Sequence, residues 1–406
     1  MKRTLIRYPL ILTIALYIFL MVLLFLRFGY ETTWQFWNIP TMTPHFADLR
    51  TITGLSFTLL QGLNPMLNNP GDPWQRPSNY PPIWKILVWI GVRPQHTTLI
   101  GILFIGLFFI GLCLPFAELP WAETFFLMLG VLSPAVLLGI ERANTDLLIF
   151  FLVSIAAWLL GRSTAWATLA FQMAIFLKLY PLFSLVALTR LSKRVCLSIA
   201  GLILAISTLY FLINFREILL AFQATPKSHN LSYGISVLPQ RLERSPFAPF
   251  AKPALYLTSV TAIAITLGGI FFGKRCDLSQ NSPKAYYLDA FRAGSAIYIG
   301  TFFLGSNFDY RLMFLLLTIP QLVFWWQDHN AWVRRIAKIS AIALYLSLWH
   351  RLILRGVERL LPANFPPAYS RALAFFPDEL ANWVLFGSLV VLLAASLPRW
   401  FYSAST

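Results

Sequence analysis

The sequence predicts an all-α protein that crosses a membrane many times, and three observations carry the prediction. Of its 406 residues 58% are hydrophobic and only 12% are charged, against the ~25% usual in a soluble domain. Apolar runs close to or above the ~20 residues that a helix needs to cross a bilayer recur from one end to the other. The runs are continuous and rich in Leu, Ile, Phe and Ala, whereas a lipid-facing barrel strand must alternate.

In chain order, Met1 to Arg7 is short and basic (Lys2, Arg3, Arg7) and precedes the unbroken apolar run Tyr8 to Leu26, which Arg27 closes. That run is longer than the core of a signal peptide and no small-residue cleavage site follows. It is expected to be an uncleaved first span with its N-terminus in the cytoplasm. Residues 28–95 form a mixed, Pro- and Trp-rich external loop. Inside it, Ala47 to Leu63 places Leu49, Ile52, Leu55, Leu59, Leu60 and Leu63 at helical spacing, which predicts a helix lying at the interface. The Pro81-Pro82 pair opens a short apolar piece, Ile83 to Ile90, too short to span alone and therefore read as re-entrant or interfacial.

Further runs lie at 97–115, 122–140, 146–160 and 164–178, with a short one at 180–190 set off by Pro181. After the basic break Arg190-Leu191-Ser192-Lys193-Arg194 come 195–213, a polar external segment 214–253, then 254–272, 286–304, 310–326, 335–353 and 382–398. The expectation is about twelve spans with both ends inside. They form one integral membrane domain: 1–27 first span, 28–95 external loop, 96–213 core helices, 214–253 external loop, 254–406 C-terminal helices.

The net charge is +16, but no soluble segment is long enough to make a basic groove for nucleic acid. Membrane topology, anionic lipids and phosphate-bearing substrates account for the charge instead. Cys113, Cys196 and Cys276 have neither paired nor metal-ligand spacing and carry no redox or metal information.

Four polar clusters interrupt the apolar pattern, all on the outer side in this topology. The first is His45, Asp48 and Arg50 with Tyr80-Pro81-Pro82 later in the same loop. The second is Glu141-Arg142-Ala143-Asn144-Thr145-Asp146, and the third is Lys178-Leu179-Tyr180-Pro181. The fourth is Asn307-Phe308-Asp309-Tyr310-Arg311. Ionisable groups at a membrane boundary are costly, so they are paired or functional. Each has a structural reading too: Asp48 as an N-cap, Arg142 with Glu141 or Asp146 and Asp309 with Arg311 as local ion pairs, Lys178 snorkelling to headgroups, and the prolines as helix breaks. Under the functional reading the mixed charges hold an anionic lipid phosphate and leave one carboxylate, Asp48, as a base.

Taken in their order along a multi-span chain, these motifs resemble the bacterial glycosyltransferase 87 family of C-type membrane glycosyltransferases, over about residues 8–326. The resemblance implies the C-type architecture with interfacial helices in the first external loop. It also implies an enzyme of the cell membrane, its site facing the extracytoplasmic side. The reaction implied is transfer of a hexose, with mannose as the leading candidate, from a polyprenyl-phosphate donor to a hydroxyl of a lipid-linked or extracytoplasmic glycan acceptor. Asp48 matches the presumed base. Substrate contacts are carried to His45, Arg50, Tyr80, Glu141, Arg142, Asn144, Asp146, Lys178, Tyr180, Asn307, Asp309, Tyr310 and Arg311. Some C-type enzymes carry a paired acidic motif where this chain has Asp48-Leu49-Arg50, so neither metal nor other cofactor is expected. The donor phosphate would meet Lys178, Arg311, Arg50 or the later Arg241, and single displacement would invert the anomeric centre. A transporter or lipid flippase, a ligase using a lipid-pyrophosphate donor and a non-catalytic scaffold are the competing readings. No internal repeat of the kind transporters carry is found.

Overall fold

The computed structural model describes residues 7–226, 231–362 and 367–402, the side chains of the last stretch from Phe375 onward. Lys2 and Arg3 of the basic N-terminus, residues 227–230 and 363–366 of two polar segments, and the Arg371 side chain lie outside the described residues. The protein is an all-α membrane protein. Among the described residues, six helices are long and apolar enough to cross a membrane: Pro9–Phe28, Pro94–Phe116, Lys193–Ile213, Ala248–Gly273, Ala331–Leu360 and Phe375–Ser396. The bent pair Trp121–Val131 and Pro134–Arg142 makes a seventh if it is one span.

That count falls short of the twelve expected, and the cause is local. Proline and polar residues cut several apolar runs into pieces too short to span. The run at 122–140 breaks at Ser133-Pro134, and Asp146–Leu159 and Thr164–Leu177 have 14 residues each. Residues Tyr180–Arg190 wind as 3-10 helix, and 310–326 divides into the 3-10 segment Asp309–Leu317 and the 8-residue helix Ile319–Trp326. Ala285–Phe303 carries the buried pair Asp289 and Arg292, 3.7 Å apart, and stands outside the six.

Two C-terminal boundaries also differ. The run expected over 335–353 continues helical to Leu360, and the last helix begins at Pro367 rather than 382. Asp378 and Glu379 stay inside it because they bond one turn ahead, to Asn382 and Trp383. One departure from all-helix is a two-residue antiparallel ladder, Ser232↔Phe308 and Tyr233↔Asn307.

The chain divides into two compact units, one of Met1–Ile39, Ala117–Leu137 and Lys227–Thr406, the other of Pro40–Phe116 and Leu138–Pro226. In the first, Ala331–Leu360 packs on Pro367–Ser396, which also receives Ala251–Gly273. Its core includes large aromatics, among them the stacked pair Phe302 and Phe386 with ring centres 4.4 Å apart.

In the second unit Thr97–Phe116 packs on Asp146–Leu159, which packs on Thr164–Leu177. The first pair approaches closely at Gly111: a Cβ there would stand 3.0 Å from the Cα of Phe151, and the Ser154 hydroxyl donates to the Gly111 carbonyl at 2.6 Å. Small residues permit such contact between apolar helices. Ala47–Leu60 is the helix expected over 47–63, but more deeply buried than an interfacial helix: Leu49, Ile52 and Leu55 are fully buried, and so are Thr53, Ser56 and Thr58 on its other faces. The loop that follows folds back onto it. The Asn69 side-chain amide donates to the Thr51 carbonyl at 3.1 Å, and Thr58 donates to Asn69 at 2.6 Å. Gly54 and Gly71 meet backbone to backbone, so neither has room for a side chain. The Ile83–Ile90 piece is a 3-10 turn followed by one α turn, too short to span, as its length predicts.

Candidate functional site

The second unit brings the first three polar clusters together. Asp48 stands in the first turn of Ala47–Leu60, whose N-cap position is Phe46 and which has no side-chain cap. The N-cap reading of Asp48 is therefore not met. Its Oδ2 instead accepts a 2.6 Å hydrogen bond from the side-chain amide of Asn144. Asp48 is half-buried, and its Oδ1 has no hydrogen-bond partner among the described residues.

Asn144 owes its position to a tight bend. Pro134–Arg142 ends at Arg142, Ala143 adopts φ of 45°, and Asp146 opens the next helix. The Asn144 side-chain oxygen accepts from the Asp146 amide at 2.9 Å, a local turn that shorter polar residues favour. The same oxygen accepts from the Lys178 ammonium at 3.2 Å, and Lys178 donates to Asp146 Oδ1 at 2.5 Å. Asn144 thus bridges one carboxylate to one cation.

Lys178 reaches this place through a helix break. Thr164–Leu177 stops, Lys178 is extended, and the chain resumes as 3-10 helix at Tyr180-Pro181. The Leu177 carbonyl freed by the break accepts from the Trp84 indole at 3.2 Å. The side chain of Lys178 is only 14% exposed, and Asp146 is fully buried. Lys178 therefore does not snorkel to headgroups; it is held inward by an ion pair with a second-helix carboxylate. The Tyr80 ring lies under its ammonium at 5.3 Å. Burial pushes the Tyr80 phenol well above its usual range, and the carboxylates of Asp48 and Asp146 add to this. Tyr80 is a neutral hydroxyl at this site.

The remaining predicted residues of this unit take supporting places. Arg142 pairs with its neighbour Glu141 at 3.0 Å, the local pairing anticipated for it, and donates to the Pro40 carbonyl at 2.8 Å. Arg50 donates through Nε to the carbonyl of His45 at 2.7 Å, closing the turn before the helix. Tyr180 is buried at the start of the 3-10 segment.

Sequence reasoning missed Arg76. It forks onto Asp72 at 2.8 and 3.0 Å and donates at 2.5 Å to the carbonyl of Ala47, the residue before Asp48. Burial opposes its charge, but the hydrogen bonds to Asp72 and the fields of Asp72, Asp48 and Tyr80 prevail and keep it a cation. The signal was an Asp-to-Arg spacing of four within the polar turn after Asn68-Asn69-Pro70-Gly71.

The fourth cluster belongs to the first unit. Asp309 and Arg311 do not pair with each other there. Asp309 faces His350 at 3.4 Å, Arg311 donates to Asn307, and Tyr310 stacks on Phe308 with ring centres 5.5 Å apart. Among the described residues, no three His, Cys, Asp or Glu side chains are grouped as metal ligands. No protein-family model, curated protein or solved structure gives a significant match to this chain.

Proposed function

We propose that the protein is a membrane glycosyltransferase that moves a hexose, mannose in the first instance, from a polyprenyl-phosphate donor to a hydroxyl of a lipid-linked or extracytoplasmic acceptor. The observation that supports the reading best is the state of Asp48. One of its oxygens is oriented by Asn144 and the other has no partner among the described residues, on a half-buried carboxylate. A base must be held in place by one side and open on the other, within reach of the proton it removes.

In this reading Asp48 takes the proton of the acceptor hydroxyl as that oxygen attacks the anomeric carbon. The bond to the phosphate oxygen breaks on the opposite face, so the configuration inverts and the donor departs as polyprenyl phosphate. Cations near the departing oxygen supply transition-state stabilisation. Arg50 is suited to this, because only its Nε is engaged in hydrogen bonds among the described residues. Lys178 is suited less, being already joined to Asp146 and Asn144. Its role is to hold Asn144, and through it Asp48, in register.

The test is transfer of radiolabelled sugar from polyprenyl-phosphate donors into lipid, by membranes carrying the wild-type chain or Asp48→Asn. Incorporation by the wild type and its loss in a variant of equal abundance is the expected result. Near-normal transfer by the variant would sink the assignment of the base. A labelled lipid that changes leaflet with its glycan unaltered would favour a flippase.

A further inference from the structure

A second constellation of buried ionisable groups lies in the first unit and takes no part in the reading above. His350 stands in the middle of Ala331–Leu360, between two carboxylates. Its Nε2 is 3.4 Å from Asp309 Oδ2 and its Nδ1 is 3.6 Å from Asp378 Oδ1. Nδ1 is also 2.8 Å from the Ser347 carbonyl, which can only accept, so this nitrogen carries a proton. Nε2 faces Asp309 Oδ2 without a hydrogen bond between them.

Asp378 differs. Its Oδ1 accepts from the Asn382 amide at 3.0 Å, and Asn382 in turn accepts from the Tyr298 hydroxyl at 3.0 Å. Its Oδ2 has no hydrogen-bond partner among the described residues. Above this carboxylate lies a cavity of about 90 Å³, lined by Leu346, His350, Ile353, Leu354, Val357, Pro377 and Asp378. The five residues from Ala331–Leu360 follow helical spacing and form one face. Leu346 and Ile353 are each 45% exposed on a helix apolar enough to cross a membrane. The cavity is thus an aliphatic slot beside exposed apolar side chains of a helix able to cross a membrane, with His350 and the Asp378 carboxylate at its polar end.

We propose that this cavity is a second ligand site, which takes a hydroxyl-bearing lipid whose chain lies along Leu346, Ile353 and Val357 and whose hydroxyl donates to Asp378. The charges around it select the headgroup. The carboxylates of Asp309 and Asp378 are offset by the fields of His350, Arg241 and Arg351, so neither a phosphate nor an ammonium finds a net opposite charge there. A neutral donor satisfies the open oxygen without adding charge to a buried cluster. The inference uses none of the residues around Asp48 and stands whether or not the transferase reading does.

The experiment labels the purified full chain in detergent with a diazirine-bearing hexadecanol and maps the modified peptide. Label is expected on the 346–357 stretch. Plain hexadecanol should compete at least ~10-fold better than hexadecyl methyl ether, the discrimination that one charge-assisted hydrogen bond supports. Leu346→Trp fills the slot from its lipid-facing side and should abolish labelling of that stretch, while Asp378→Asn should narrow the alcohol-over-ether preference. Equal competition by the ether, or labelling unchanged by Leu346→Trp, would overturn the proposal. The Trp variant keeps the test decisive if Asp378→Asn does not fold.

Discussion

Asp48 and Asn144 are 96 residues apart in the chain and joined by a 2.6 Å hydrogen bond, the amide of one oriented on the carboxylate of the other. The bond links the loop after the first span to the bend between two later helices. Lys178 donates to the Asn144 oxygen as well, so three segments that look unrelated in sequence are made into one site.

Removing the amide tests whether that orientation matters. Asn144→Ala leaves Asp48 and Lys178 in place but deletes the group between them. Under the transferase reading, kcat should fall about 10- to 100-fold, the worth of a hydrogen bond to a charged group, with a smaller change in KM. Asn144→Asp should be worse, because it sets a second carboxylate against Asp48. Transfer assays at matched protein abundance decide both.

The ion pair of Lys178 and Asp146 makes a prediction about stability. Asp146 is fully buried and Lys178 nearly so, and removing one partner leaves the other charge buried alone. Lys178→Met is expected to cost about 3–5 kcal/mol, lowering the apparent Tm in detergent. Lys178→Met combined with Asp146→Leu should recover much of that loss, since the double change removes both charges. A double variant as unstable as the sum of the singles would show that the pair is not energetically coupled.

Gly54 faces the backbone of Gly71, and a Cβ at either would overlap main-chain atoms that no rotamer change can move. Gly54→Ala should force the 61–80 loop off its helix, losing the contacts of Asn69 and Asp72 with Thr58 and Thr51. The expected effect is a loss of several kcal/mol, on the order of the larger core substitutions. Proteolysis within 61–80, compared with the wild type, reports the release directly. An unaltered pattern would refute the packing argument.

Much of the helical frame was legible in the sequence because continuous apolar runs leave little choice. The helices Pro9–Phe28, Thr97–Phe116, Lys193–Ile213 and Ala285–Phe303 begin and end within a few residues of the expected runs. Hydropathy failed where hydrogen-bond partners let polar residues sit inside helices, as Asn382 and Trp383 do for Asp378 and Glu379, or where prolines cut a run. The three clusters of the second unit were visible as charges in the wrong place, but their pairing was not. Lys178 with Asp146 spans 32 residues and Asn144 with Asp48 spans 96, distances over which spacing carries no information. Arg76 was hidden for the opposite reason: in a polar loop one more arginine draws no notice.

Arg76 therefore gives a prediction that sequence reading would not have suggested. Its guanidinium ties Asp72 to the Ala47 carbonyl and so fixes the turn that presents Asp48. Arg76→Lys keeps the charge but cannot form a planar fork to Asp72 and reach a carbonyl at the same time. The expectation is a marked fall in transfer with little change in abundance, and a larger fall for Arg76→Met, where Asp72 is also left buried without its cation. If the role is positioning, loss should appear in kcat more than in KM, because the open oxygen of Asp48 is displaced while the substrate's other contacts survive. Full activity in Arg76→Lys would mean that charge alone suffices, and that the Ala47 contact does not set the geometry of the base.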